Sequence, residues 1–274
     1  MSGKLYVVGT PIGNLSDFSP RAAETLAAAD FIAAEDTRVT LKLMNRFDIK
    51  RPVVSYHEHN RRESGDRIIA RIAAGENCAL VSDAGMPAIS DPGQELVALA
   101  HEDGITVVSV PGPSAVVTAL AISGIECGRF CFEGFLSVNK PGRRERLEEL
   151  KTERRTMVFY EAPHKLLATL SDMLDCFGDR DIAVIKELTK IHESVMHTTL
   201  GDAVAYFTQT PPKGEYVLIV SGRAEETPVE MTLDAAVAIA RAYIEDGLPP
   251  TKAAKQASAD SGVKRSDIYK ELVK

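Results

Sequence analysis

The sequence lacks several features that would assign it to a class of protein at once. No apolar run approaches the roughly 18–20 residues that a membrane-spanning helix needs. The first residues lead directly into an apolar, β-rich segment, without the pattern of a signal peptide. The 4 cysteines form no C-x-x-C pair in a chain of 274 residues, so a disulfide framework is not expected. These absences predict a reduced, cytoplasmic protein without a membrane partner.

The common phosphate-binding signatures are also absent. The glycine-bearing loop from Gly9 to Gly13 has neither G-x-G-x-x-G spacing nor the G-K-[ST] ending of a P-loop. A net charge of −7 excludes a chain that is basic along its whole length, so any contact with nucleic acid has to be local. A hydrophobic content of 45% with 26% charged residues is ordinary for a globular protein.

Alternating β-rich and helical patterns are present instead. Through residue 122 they predict a mostly parallel sheet with helices on both faces. A second alternating unit begins near residue 130, and helical patterns return at residue 233. The predicted fold class is therefore α/β, with two α/β domains and a small helical C-terminal segment that resembles a helix-turn-helix. The predicted domains are residues 1–115, residues 116–224 and residues 225–274, with a polar linker at residues 223–230.

Residues 81–93 are the most informative segment. After a predicted buried strand, residues 83–93 contain two glycines, two prolines and two aspartates. Such a turn exposes many backbone polar groups at the carboxyl end of a strand, where open α/β sheets bind ligands. Asp83 can therefore bind a ligand or only tie down its own turn. Ser114, in the loop after the fifth predicted strand, can cap a helix or contact the same ligand.

Polar residues at other strand ends are candidates for acid–base chemistry. Asp36 follows the second predicted strand, and His57 follows the third. In the second unit, Lys186 and Glu187 end a strand and can orient a substrate or form a surface salt bridge. His57 and His59 suggest a metal pair, but a third ligand at suitable spacing is missing, so no metal is expected.

Five segments resemble the tetrapyrrole (corrin/porphyrin) methylase superfamily in their order and spacing, over roughly residues 3–222. Within it they resemble the branch of ribosomal RNA small-subunit methyltransferases. The segments are Gly9-Thr-Pro-Ile-Gly-Asn-Leu, Glu35-Asp-Thr-Arg, Ser82-Asp-Ala-Gly-Met-Pro-Ala-Ile-Ser-Asp-Pro-Gly, Val110-Pro-Gly-Pro-Ser-Ala and Phe159-Tyr-Glu-Ala-Pro-His.

The resemblance implies that S-adenosylmethionine binds in a cleft between two α/β domains and that the protein is a homodimer. The activity that it implies is 2′-O-methylation of a cytidine in the decoding region of 16S rRNA. The RNA partner is then free 16S rRNA or the small ribosomal subunit. The cofactor-binding positions that the resemblance implies are Pro11, Ile12, Gly13, Asp83, Gly85, Met86, Pro87, Ser114, Ala115, Tyr160 and Gly214. Corrin methylases carry Gly-Asp-Pro where this chain has Asp83-Ala-Gly-Met-Pro, which disfavours the alternative of a tetrapyrrole or corrin methylase. A non-enzymatic binding protein is the third alternative.

Methyl transfer to a ribose hydroxyl needs alignment and benefits from a general base. The sequence leaves the base open among Asp36, His57, His59, Asp83 and Glu187, while Lys186 and Arg38 can hold a phosphate or lower the pKa of the hydroxyl. Two segments are basic although the whole chain is acidic. Residues 140–155 contain seven Lys/Arg and four Glu, and residues 250–274 contain six Lys/Arg and three Asp/Glu. These segments predict RNA contacts, although a solvated helix face is the alternative. The predicted RNA-binding residues are Arg38, Lys140, Arg143, Arg144, Arg146, Lys264 and Arg265.

Overall fold

The computed structural model describes residues 2–224 and 231–273, so the predicted linker lies largely outside the described residues. The chain forms two compact units, Met1–Arg223 and Ala224–Lys274. Among the described residues, the strands are β1 (Lys4–Val8), β2 (Phe31–Ala34), β3 (Val53–Ser55), β4 (Cys78–Val81), β5 (Thr106–Val110), β6 (Phe130–Phe135), β7 (Thr156–Glu161), β8 (Asp181–Lys186), β9 (Ser194–Thr199) and β10 (Tyr216–Val220).

In the first unit the helices lie between the strands, and the described residues of the second unit form helices only. Within the same described ranges they are α1 (Pro20–Ala28), α2 (Thr37–Arg46), α3 (Arg61–Ala73), α4 (Gln94–Glu102), α5 (Ala115–Ser123), α6 (Lys140–Leu150), α7 (Pro163–Phe177), α8 (Leu200–Gln209), α9 (Leu233–Glu245), α10 (Pro250–Ser261) and α11 (Arg265–Leu272).

The first sheet has the strand order β3-β2-β4-β1-β5, and its strand pairs are all parallel. Helices α1 and α2 pack on one face through Leu26 and Met44, while α3 and α4 pack on the other through Ile72 and Leu96. The connections leaving the adjacent strands β1 and β4 run in opposite directions. The carboxyl ends of β1 and β4 therefore form the topological switch point, where open α/β sheets bind ligands.

The second sheet has the order β6-β7-β10-β8-β9 and is mixed, because only β6 and β7 pair in parallel. Helices α6, α7 and α8 cover one face, and α5 covers the other through Val116 and Leu120. The α/β fold class is confirmed. The basic segment at residues 140–155 is helical only to Leu150, because the chain turns there and Glu153 donates its N–H to the carbonyl of Leu150 at 2.9 Å. The domain boundary at residue 115 stays a prediction.

The unit Ala224–Lys274 has its own small core, built by Ala236, Ala240, Ala257 and Ile268 from α9, α10 and α11. Gly262 ends α10 in the left-handed conformation, with φ of +73°, which favours glycine and lets the chain turn into α11. Within residues 2–224 and 231–273, no helix combines the length and the apolar character needed to cross a membrane.

Candidate active site

A cavity of about 540 Å³ lies between the carboxyl edge of the first sheet and the second sheet. The loops after β1, β4 and β5 supply one wall, and the ends of β6, β7, β8 and β10 supply the other. The residues lining it are Ile12, Ala84, Gly85, Met86, Ile89, Ser90, Asp91, Ser114, Ala115, Phe135, Tyr160, Glu161, Ala162, Pro163, His164, Leu188, Glu215, Tyr216 and Val217. This volume suits a small-molecule ligand.

Backbone hydrogen bonds join the loops at the switch point. Thr10 donates its N–H to the carbonyl of Gly85 at 2.9 Å, and Gly85 donates back to the carbonyl of Thr10 at 3.1 Å. A Cβ placed on Gly9 would lie 2.6 Å from the Cα of Gly112, so the backbones after β1 and β5 touch there. At this contact between the two loops, glycine is therefore required at positions 9 and 112.

The wall from the second sheet depends on an irregular turn after β8. Glu187 and Thr189 both have positive φ, +52° and +66°, which is uncommon for residues other than glycine. Glu187 accepts hydrogen bonds from the Nζ of Lys190 at 3.0 Å and from the N–H of Glu215 at 2.9 Å. A Cβ on Gly214 would lie 2.6 Å from the carboxylate of Glu187. These contacts hold Leu188 in the cavity wall.

Carboxylates crowd the edge where the loops after β2 and β4 meet. Burial raises the pKa of Glu35, and the charges of Asp91 and Asp83 raise it further. Burial also raises the pKa of Asp91, and the charge of Asp83 adds to that shift. Asp36 is the exception: hydrogen bonds from Arg38, including one from Nη2 at 2.7 Å, lower its pKa to about 2.

Tyr160 connects this edge to the second sheet. Burial raises its pKa to about 12, and the charge of Asp91 contributes to the same shift. The backbone N–H of Val116, near the start of α5, acts in the opposite direction and lowers the pKa of Tyr160. Its ring contacts that of Phe132 at a centroid distance of 5.0 Å. Tyr160 and Asp91 therefore face the same space from opposite walls.

The structure brings together part of the cofactor site that the sequence predicts. Ile12, Gly85, Met86, Ser114, Ala115 and Tyr160 line the cavity. Pro11, Gly13, Asp83, Pro87 and Gly214 lie just outside its lining, in the loops that carry the lining residues. As the N-cap residue of α5, Ser114 makes no side-chain capping bond, which leaves its hydroxyl available to a ligand.

The residues predicted as candidates for catalysis lie outside the cavity lining. Asp36 caps α2 and binds Arg38, while Asp83 accepts the N–H of Asp36 at 3.1 Å and so joins two loops. His57 precedes the single turn that leads into α3, and its N–H donates to Asn60 Oδ1 at 2.8 Å. Lys186 ends β8, next to the turn held by Glu187. The side chain of His59 is not among those that the structure describes.

Four carboxylate and imidazole side chains line the cavity, and none of them was among the residues predicted from the sequence. They are Asp91, Glu161, His164 and Glu215. Glu161 is 2% exposed and accepts hydrogen bonds from Thr169 Oγ1 at 2.5 Å and from the N–H of Ala162 at 2.8 Å. It therefore orders the start of α7. The Ser90-Asp91-Pro92 turn was the available signal for Asp91, because it closes the same loop that carries Asp83.

The predicted RNA-binding arginines of α6 have intramolecular partners. Arg143 is 6% exposed and bonds Asp172, while Arg144 bonds Asp172 and Asp175. Arg146 bonds Glu133 and Glu149. The burial of Arg143 argues against a phosphate contact, because its guanidinium holds α6 against α7 instead. Arg38, Lys140, Lys264 and Arg265 are exposed.

The described part of the chain holds no group of three or more His, Cys, Asp and Glu side chains arranged to bind a metal ion. Cys78, Cys127, Cys131 and Cys176 are free thiols, and Cys78 is buried. Burial raises the pKa of the Cys78 thiol to about 12, so it behaves as a small apolar side chain in the core.

Comparison with known proteins agrees with this architecture. Residues 4–204 match the family described as Tetrapyrrole (Corrin/Porphyrin) Methylases. Ribosomal RNA small subunit methyltransferase I of Synechocystis is 46% identical and covers 97% of this chain and 96% of its own length. The protein of the same name from Thermotoga maritima is 45% identical over 221 residues, covering 81% of this chain and 99% of its own.

A solved structure shows the same fold at low sequence identity. Uroporphyrin-III-C-methyltransferase from Thermus thermophilus is 20% identical, with a TM-score of 0.56 over 79% of this chain and 94% of its own. A structural similarity at 20% identity shows only that the two proteins share a fold. The relative from Synechocystis, at 46% identity, matches nearly the whole chain. The chain therefore belongs to the tetrapyrrole methylase family, within the group named ribosomal RNA small subunit methyltransferase I.

Proposed function

We propose that this protein is an S-adenosylmethionine-dependent methyltransferase that methylates the 2′-hydroxyl of a cytidine in the decoding region of 16S rRNA. The observation that carries the proposal is the near-full-length identity of 46% to a ribosomal RNA small subunit methyltransferase I. The cavity at the switch point supports it, because four of the five segments that resemble the methylase family contribute residues to its lining.

The cavity wall fits S-adenosylmethionine by its chemistry. Ile12, Leu188 and Val217 supply apolar surface for the adenosine and the thioether portion. The free hydroxyl of Ser114 and the N–H groups at the start of α5 suit a carboxylate, because a helix N-terminus carries a partial positive charge. Glu215, which also lines the cavity, offers an acceptor for the amine or ribose groups of the cofactor.

When bound, S-adenosylmethionine supplies a methyl group on a positively charged sulfur. The protein has to hold the ribose hydroxyl in line with that group, and alignment of this kind contributes up to about 7–11 kcal/mol. Asp91 is the side chain we assign as proton acceptor, because it lines the cavity opposite Tyr160. Its raised pKa makes it a stronger base than an ordinary aspartate.

We further propose that the protein acts as a cytoplasmic homodimer, as the family resemblance implies. We also propose that its first two domains divide at residue 115. The packing of α5 supports this boundary, because Val116 and Leu120 belong to the core formed with Val217 and Ile219 of the second sheet. Sedimentation equilibrium tests the dimer, and a monomer at micromolar concentration would contradict it.

Methylation of purified substrates tests the function. The protein and S-adenosylmethionine are incubated with isolated small ribosomal subunits, with free 16S rRNA and with a uroporphyrinogen, and 2′-O-methylation is mapped by resistance to alkaline hydrolysis. We expect a single protected cytidine linkage in the decoding region. Methylation of the tetrapyrrole alone would support the alternative reading, and failure to bind S-adenosylmethionine by calorimetry would support a non-enzymatic protein.

A further inference from the structure

Strand β6 contains a β-bulge at the point where it reaches the cavity. Phe132 pairs with Val158 and Gly134 pairs with Phe159, so Glu133 is the extra residue on the β6 side. Gly134 has φ of +64°, a conformation that favours glycine. Bulges bend a strand and redirect the side chains that follow, and they are common next to functional sites.

The bulge changes the face on which Phe135 lies. In a regular strand, residues three apart point to opposite faces of the sheet. Phe132 and Phe135 nevertheless both contact the ring of Tyr160, at centroid distances of 5.0 and 5.4 Å. The extra residue therefore turns Phe135 onto the cavity face, where it lines the cavity while remaining 58% exposed.

A second exposed apolar side chain lines the same cavity from the first wall. Ile89 is 63% exposed and follows Ala88, whose φ of +67° is strained for a residue with a Cβ. Irregular backbone thus presents both Ile89 and Phe135 to solvent at the cavity, although burying each would be favourable. Strained backbone of the kind seen at Ala88 clusters at active sites and at ligand-binding segments.

A positive charge is held beside the aromatic ring. The Nζ of Lys165 lies 5.6 Å from the centroid of Phe135 and 3.2 Å from Oε1 of Glu161. Glu161 is itself fixed by its bond to Thr169. The cavity therefore has two exposed apolar side chains, Ile89 and Phe135, and an ammonium group lies beside the ring of Phe135.

We infer that Phe135 and Ile89 form a clamp for the base of the nucleotide that is methylated, with the base stacked on Phe135. This inference rests on the proposed function and names the part of the substrate that the cavity rim binds. A polymer cannot enter the cavity, so the acceptor nucleotide has to be presented to it from solvent. Bases that are taken out of a stack are recognised by stacking on aromatic side chains with a cation nearby.

Replacing Phe135 tests the clamp. Phe135→Ala removes the stacking surface, and we expect KM for small ribosomal subunits to rise roughly 5- to 150-fold, the range that corresponds to loss of one base–aromatic stack. Phe135→Trp retains a flat aromatic face and should keep KM near the wild-type value, whereas Phe135→Leu should behave like Phe135→Ala. The contrast separates stacking from apolar contact in general.

Tyr206→Ala is the matched control. Tyr206 is an aromatic residue of α8 with 50% exposure that packs edge-on against Phe207, outside the cavity lining. Tyr206→Ala should therefore leave KM for small ribosomal subunits unchanged. Calorimetry with S-adenosylmethionine should give the wild-type Kd for each Phe135 variant, because the clamp binds substrate rather than cofactor.

Several results would overturn the clamp without touching the proposed function. An equal loss of S-adenosylmethionine affinity in Phe135→Ala would place the ring against the cofactor, and dissociation of a homodimer would place it at an interface between copies. Equal KM values for wild type and Phe135→Ala, or equal defects in Phe135→Ala and Phe135→Trp, would also reject stacking. If the wild-type protein methylates no ribosomal RNA, the proposed function itself fails.

Discussion

The Nε of Arg143 donates to Oδ2 of Asp172 at 2.8 Å, and both side chains are almost completely buried between α6 and α7. Burial would raise the pKa of Asp172, but the hydrogen bonds from Arg143 and Arg144 outweigh it, so the pKa lies below its ordinary value. The basic segment at residues 140–155 therefore includes a structural ion pair that the count of charges alone did not reveal.

Removing one partner of this pair should destabilise the fold. Arg143→Ala removes the buried one of the two arginines that bond Asp172. Leaving a buried charge unpaired typically costs about 3–5 kcal/mol, and this is an upper limit here because Arg144 keeps its bond to Asp172. Urea denaturation measures the loss of the free energy of unfolding. Lys151→Ala is the control, since its exposed pair with Glu148 at 3.4 Å should contribute about 0–1 kcal/mol. Equal stability of the two variants would show that the pair is dispensable.

A larger residue at position 115 should block the cofactor. Ala115 lines the cavity at the first residue of α5, and leucine there would fill space that the ligand needs. We expect Ala115→Leu to bind S-adenosylmethionine at least tenfold more weakly by calorimetry, with an unchanged Tm. Val117, on the same helix, is 55% exposed and lies outside the cavity lining. Val117→Leu is therefore the control and should bind S-adenosylmethionine normally. Undiminished binding by Ala115→Leu would refute the cofactor placement.

The position of the site could be predicted from sequence because parallel strands bring their carboxyl ends to one edge. The loops carrying Ile12, Gly85 and Ser114 follow separate strands, and they meet at the switch point as expected. Which polar residue faces the cavity could not be predicted, because that depends on packing between loops. Asp83 turns toward the N–H of Asp36, while Asp91, eight residues further on, enters the cavity wall.

The second wall was harder to predict for two physical reasons. The mixed order of the second sheet is set by pairing between strands distant in sequence, such as β7 with β10, which local patterns do not encode. The bulge after Phe132 reverses the face of Phe135, and glycine at position 134 was the local indication of it. The ion pair of Arg143 could not be predicted from local sequence either, because its partner Asp172 lies on another helix.

The pH dependence of methylation should report the ionisation of Asp91. A proton acceptor works only when deprotonated, so the rate should rise with pH through the pKa of Asp91. That pKa is raised above its ordinary value, so the acidic limb should lie above the range of an exposed aspartate. Asp91→Asn should abolish the acidic limb of the pH profile. Its kcat should be about 10²–10⁴-fold lower than that of the wild type.

Ser82→Ala provides the matched control for this assignment. The Ser82 side chain lowers the pKa of Asp91, so removing its hydroxyl should move the acidic limb to higher pH while catalysis persists. Single-turnover rates at saturating S-adenosylmethionine measure both effects. An acidic limb that is unchanged in both variants would show that another group accepts the proton.

The C-terminal unit should serve RNA affinity and not methyl transfer itself. The Thermotoga relative matches 99% of its own length while covering 81% of this chain, so proteins of the same name exist without a counterpart to about a fifth of it. The unit Ala224–Lys274 has a separate core, and Lys264 and Arg265 are exposed at the turn into α11. These features suit an added docking element for a phosphate backbone.

Two variants test this role by the salt dependence of RNA binding. Ending the chain after Arg223, or changing Lys264 and Arg265 to Ala together, should weaken binding to 16S rRNA. Each lost phosphate contact should reduce the slope of log K against log salt by roughly 0.7–0.9, so the double variant should lose about 1.4–1.8. Affinity for S-adenosylmethionine should stay at the wild-type value.

Lys50→Ala is the control for this experiment. Lys50 is an exposed lysine whose Nζ lies 3.0 Å from Asp48, and its removal should leave the slope unchanged. If the shortened chain binds and methylates RNA with the wild-type slope, the basic residues of α10 and α11 form a solvated face and the RNA contacts lie elsewhere in Met1–Arg223.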